Sequence, residues 1–105
     1  MPAVCAAAEV AASHRILDVA TGTGEAARIA LSQLGPSGVV LGADISTEML
    51  RAASARLADS RFRPVQADGV ALPFAEGVFD AVTCQLGLMF FPDPARGLAE
   101  FRRVL

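Results

Sequence analysis

The feature that most constrains this chain is the stretch Ile16-Leu17-Asp18-Val19-Ala20-Thr21-Gly22-Thr23-Gly24-Glu25-Ala26-Ala27. An apolar run, two glycines one residue apart, and then small helix-favouring residues read as a buried strand, a tight turn and the first turn of a helix. Such a unit makes backbone amides converge at a helix N-terminus, where a polar or anionic ligand can sit. The rest of the chain reads as the completion of a pocket around that turn.

The flanking pattern supports one α/β domain over residues 1–105. An alanine-rich start predicts a helix over 3–12. The near-continuous apolar run at 15–20 predicts a first strand covered on both faces. Residues 24–34 read as a helix with Ala27, Ala30, Leu31 and Leu34 on one side, stopped by Gly35-Pro36-Ser37-Gly38. A second strand (38–43) ends at Asp44. Ser46 caps the next helix, which runs to about Ala58 with Met49, Leu50, Ala53 and Leu57 inward. A third strand (61–67) ends at Asp68 and a fourth is predicted over 78–84. After an apolar loop, 85–91, Asp93-Pro94 opens a last helix with Leu98, Phe101 and Leu105 inward. Strands alternating with helices through short connections predict a doubly wound, mostly parallel sheet. Ligands bind such sheets at the carboxyl ends of the strands. Asp18 to Gly24, Asp44, Asp68 and Gln85 all fall there.

Composition narrows the function classes. Hydrophobic residues make up 53% of the chain, but no run reaches the ~18 residues a membrane span needs. The net charge of −2 gives no basic face for nucleic acid. Cys5 and Cys84 lie far apart, which suits a reducing, cytoplasmic setting. Cys84 reads as a small buried apolar residue rather than a nucleophile. The single His14 cannot build a metal cluster, so no metal site is expected.

Four positions carry the chemistry. Gly22 and Gly24 let a ligand approach the backbone, and Gly22 to Ala27 fit the G-x-G-x-x-G/A dinucleotide form, so a nicotinamide or flavin site and a ligand-free turn both stay open there. Asp44, 20 residues after Gly24, can accept from both ribose hydroxyls, or can help Ser46 cap its helix. Asp68 can accept from an exocyclic amine or be a plain loop residue. Asp18 sits within the apolar strand, where a carboxylate needs donors: the turn amides or a cationic ligand group. A pyrophosphate gains nothing from that extra acid, whereas a ligand with a positive centre and an amino-acid tail does.

With these residues in view, the chain resembles the class I S-adenosylmethionine-dependent methyltransferases, and within them the ubiquinone and menaquinone biosynthesis branch (methyltransferase type 11). The resemblance rests on Leu17 to Gly24, Gly42 to Leu50, Gln66 to Phe74, Phe79 to Cys84, Phe91-Pro92-Asp93-Pro94 and Phe101 to Leu105. Alanine stands at the first glycine position of the first motif. The resemblance implies a Rossmann-like sheet of order 3-2-1-4, with S-adenosylmethionine as cofactor and S-adenosylhomocysteine as product. It implies that Ala20, Gly22 and Gly24 cradle the methionine part, that Asp18 holds either the turn or, through water, the amino group, and that Asp44 takes the ribose. Ile45 and Met49 would border the adenine, Asp68 would accept from its amine, and Gly69 or Val70 would offer a backbone amide. Gln85 and Leu86 would lie near the reactive methyl, Gln85 orienting a small, hydrophobic substrate. No catalytic base is assigned, since Met89 and Phe90 stand where many relatives have histidines. The family continues beyond the last helix with three further strands. The reading therefore expects a truncated sheet, an open edge at the fourth strand, and self-association or element exchange through that edge. Two other functions remain in view: a non-catalytic nucleoside-binding or interaction module, and an NAD-dependent oxidoreductase domain.

Overall fold

The computed structural model describes residues 4–5, 14–84 and 91–105. Its strands are β1 (Val4–Cys5), β2 (Arg15–Val19), β3 (Val39–Asp44), β4 (Phe62–Gln66) and β5 (Ala81–Cys84). Its helices are α1 (Glu25–Gln33), α2 (Thr47–Leu57) and α3 (Pro94–Val104). The sheet order is β1-β5-β2-β3-β4. The pairs β2–β3, β3–β4 and β2–β5 are parallel. The four predicted strands thus stand in the expected 3-2-1-4 order.

Alternation along β2 builds the two faces. Ile16 packs with Ala27, Ala30, Leu31, Val40, Ala53 and Phe62, the layer under α1 and α2. Leu17 and Val19 pack with Phe79, Val82, Phe101 and Val104, the layer under α3. Helices on both faces explain why Ile16, Leu17 and Val19 are all buried. Gly42 lets Phe62 close the first layer, since a Cβ there would stand 2.4 Å from the Phe62 ring.

The structure corrects five expectations. Val4 and Cys5 form a strand, not part of a helix; the rest of the predicted 3–12 helix lies outside the described residues. That strand pairs antiparallel with Thr83 and Cys84, so the edge expected to be open is occupied there. The fourth predicted strand begins at Ala81 rather than Val78. The amides of Gly77 and Phe79 donate instead to the last carbonyls of α3, Arg103 and Val104, and the Asp80 amide donates to Arg15 O. On α3 the buried line is Gly97, Phe101 and Val104, while Leu98 is 45% exposed. Gly97 has no side chain to mark the inner face, so the apolar pattern points one residue too far along. Met49 is also exposed rather than inward.

Two guanidinium groups tie loops to helices. Arg61 donates to the carbonyl of Leu34, which ends α1, and pairs with Asp59 through two nitrogens. Arg103 donates to the carbonyls of Leu72 and Phe74, while Glu100 accepts from the Leu72 amide. The second staple fixes the segment that follows Asp68. Among the described residues, no helix is long and apolar enough to cross a membrane.

Candidate functional site

The carboxyl ends of β2, β3 and β4 converge on the turn after β2. Ala20 begins that turn with φ 56°, and Gly22 and Gly24 follow at φ 55° and 92°. Three turn amides are already engaged. Thr21 N donates to Ala43 O, Gly22 N to Asp44 Oδ2, and Gly24 N to Thr21 O. These three amides are therefore not free for a ligand.

The glycines have different roles. A Cβ at Gly22 would meet nothing within 4 Å, so the backbone there faces open space. At Gly24 a Cβ would stand 3.0 Å from Leu57 Cδ1, which makes this glycine a contact for α2 rather than a cavity wall.

Asp18 is buried at 1% exposure. Its partners are not turn amides, as expected, but two hydroxyls. Thr21 Oγ1 donates to Oδ2 at 2.7 Å and Thr83 Oγ1 donates to Oδ1 at 2.8 Å. Burial pushes the carboxyl above its ordinary range; the two hydroxyls pull it back, and the nearby Asp44 charge pushes it up again. Thr21 and Thr83 are the residues sequence reasoning missed. The signal was available for Thr83, a polar residue alternating with Val82 and Cys84 on a strand beside β2.

Asp44 ends β3 half-buried. Oδ2 accepts from Gly22 N and Oδ1 from Ser46 N, both at 2.9 Å. It thereby locks the glycine turn to the start of α2. Ser46 caps α2 independently, its hydroxyl accepting from Met49 N. A carboxylate has about four acceptor positions, so Asp44 keeps capacity for ligand hydroxyls. The Asp68 carboxylate accepts from Val70 N at 3.1 Å, which engages the Val70 amide within its own turn.

Two adjoining cavities share Ala20. One, of about 270 Å³, is lined by Asp18, Thr21, Gly22, Thr23 and Glu25 among others. The other, of about 320 Å³, is lined by Asp44, Ile45, Asp68, Gly69 and Phe91 among others. Gly69 has a direct reason to lack a side chain, since a Cβ would stand 2.2 Å from the Phe91 ring. At the mouth of the first cavity, Arg56 of α2 pairs with Glu25 and donates to Thr23 Oγ1 at 3.4 Å. Of the residues expected to bind a cofactor, Asp18, Ala20, Gly22, Asp44, Ile45, Asp68 and Gly69 line these cavities. Gly24, Met49 and Val70 do not. Gln85 and Leu86 lie outside the described residues. Among the described residues, no group of three or more His, Cys, Asp or Glu could hold a metal ion.

Comparison with known proteins agrees with this architecture. Residues 17–105 match the family described as "Methyltransferase domain". The chain is 46% identical over 98 residues to a demethylmenaquinone methyltransferase of Thermus thermophilus, covering 90% of this chain and 43% of that protein. It is 40% identical over 102 residues to a ubiquinone/menaquinone biosynthesis C-methyltransferase of Cupriavidus pinatubonensis, covering 95% and 42%. An S-adenosylmethionine-dependent methyltransferase of Mesorhizobium loti superposes with a TM-score of 0.80 at 28% identity, covering 93% of this chain and 44% of that one. The chain spans about two fifths of the length of these relatives.

Proposed function

The chain belongs to the methyltransferase domain family, and on that premise we infer that it binds S-adenosylmethionine and serves methyl transfer to a small, hydrophobic quinone-like acceptor. The observation that carries the reading is the placement of Asp44 and Asp68 across one cleft, beside a turn whose neighbouring cavity contains Asp18. That arrangement is acidic. It suits a nucleoside with a cationic centre.

The residues fit such a group. The cavity around Asp18, Thr21 and Gly22 would take the amino-acid end, with Gly22 giving open space at the backbone. Asp44 would accept from the ribose hydroxyls. Ile45 and Asp68 would border and hold the base, Gly69 would offer its backbone, and Met49 would stand at the exposed rim. Gln85 and Leu86 keep the place near the acceptor that the family resemblance assigns them. When bound, the sulfonium supplies an electrophilic methyl that an aligned nucleophile takes by in-line displacement. What the chain contributes is orientation and exclusion of water rather than a strong base. Phe91 and Val19 provide apolar walls beside the acids.

The acceptor class is inferred from the named activity of the relatives. A second reading, a nucleoside-binding module without catalysis, is favoured by one observation: among the described residues, no His, Cys or Lys lines either cavity. Incubation with methyl-labelled S-adenosylmethionine and a reduced demethylated naphthoquinone separates the two. Label in the extracted quinone supports transfer. Tight cofactor binding with no transferred label would replace the enzyme reading by the binding one.

A further inference from the structure

We propose that Thr83 is a positioning residue for the amino-acid end of the nucleoside ligand, acting through Asp18. The proposal rests on the functional reading above. Thr83 on β5 is the parallel register partner of Asp18 on β2. Its hydroxyl donates to Asp18 Oδ1, while Thr21 donates to Oδ2. The two donors come from different elements. Thr21 belongs to the glycine turn itself, three residues on, and moves with it. Thr83 belongs to the neighbouring strand and gives the carboxylate a reference outside the turn.

A carboxylate held by one donor can still rotate about its last torsion, which is soft. Held by two, it presents its remaining acceptor positions in one plane toward the cavity it lines. Thr83 thus fixes where a ligand ammonium would find its acceptor. Charged groups facing Asp18 come from two other elements. Asp44 ends β3, and Glu25 opens α1 on the same cavity, where it pairs with Arg28 and Arg56. Loss of the Thr83 donor would leave Oδ1 buried without that partner, which adds to the upward push of burial on Asp18.

The test is calorimetric titration of Thr83→Val and Thr83→Ser with two probes. S-adenosylhomocysteine carries the amino-acid tail; 5′-methylthioadenosine keeps the nucleoside and lacks the tail. Thr83→Val should bind S-adenosylhomocysteine roughly tenfold or more weakly and 5′-methylthioadenosine unchanged. Thr83→Ser should restore the first affinity. Equal losses for both probes, no loss for either, or failure of serine to restore binding would overturn the proposal. If Thr83→Val does not fold, Thr83→Ala takes its place; unfolding of both would make the hydroxyl a folding determinant and overturn the proposal too. Wild-type protein that binds neither probe would overturn the functional reading instead.

Discussion

Replacing Asp44 by alanine should weaken the fold and the site together, by separable amounts. The carboxylate accepts from Gly22 N and Ser46 N at 2.9 Å. Bonds to a charged group contribute about 1.5–3 kcal/mol each when buried, but Asp44 is half-buried, so about 1 kcal/mol each is the safer figure. The stability loss is then about 2 kcal/mol. For a domain of this size that lowers the melting temperature by roughly 10 °C. If Asp44 also takes the ribose hydroxyls, S-adenosylhomocysteine affinity falls by a further ~1.5–3 kcal/mol, or roughly ten- to hundredfold. Thermal melts of the free protein give the first quantity. Titration well below the melting range gives the second. Unchanged affinity alongside the expected melting shift would refute the ribose role and leave Asp44 as a clamp between the turn and α2. Unchanged melting would refute the clamp.

Other perturbations test separate parts of the account. Ala20→Gly should raise stability by roughly 0.5 kcal/mol, because the left-handed penalty of about 1–2 kcal/mol at φ 56° exceeds the ~0.4–1 kcal/mol of added unfolded-chain freedom; a denaturant midpoint that falls would contradict it. Gly42→Ala should destabilise by about 1–3 kcal/mol through overlap with the Phe62 ring, with denaturant melts as the readout. Asp59 is held down to about 2 by the Arg61 guanidinium and amide. Its contribution is therefore present above its ordinary value of 3.8 and lost as pH falls through about 2. The stability difference between wild type and Asp59→Asn should be constant above about pH 4 and shrink toward pH 2; a difference independent of pH across that window would contradict the pairing.

Much of the fold could be read directly because each element carries its own periodicity. Ile16, Leu17 and Val19 announce a strand buried on both faces, and the sheet confirms it with helices on both sides. Ser46 and Asp93 announce helix starts, and both cap as expected. The misses have local and long-range causes. Phe79 and Asp80 look like strand, yet their amides are claimed by the end of α3 and by Arg15. Leu98 looks inward until Gly97 brings the backbone of α3 to the core. At the site, the strand-end positions of Asp44 and Asp68 follow from spacing. The engagement of the turn amides does not, since Gly22 and Asp44 are 22 residues apart. The Thr83–Asp18 bond, across 65 residues, could be found only once the parallel pairing of β2 and β5 was known.

On the proposed function, the acidic cleft takes a nucleoside with a charged amino-acid tail over a pyrophosphate-bearing dinucleotide. Calorimetric titration of the chain with S-adenosylhomocysteine and, separately, with NAD tests it most directly. The account predicts saturable binding of S-adenosylhomocysteine and none of NAD. Saturable binding of NAD with no response to S-adenosylhomocysteine would contradict it.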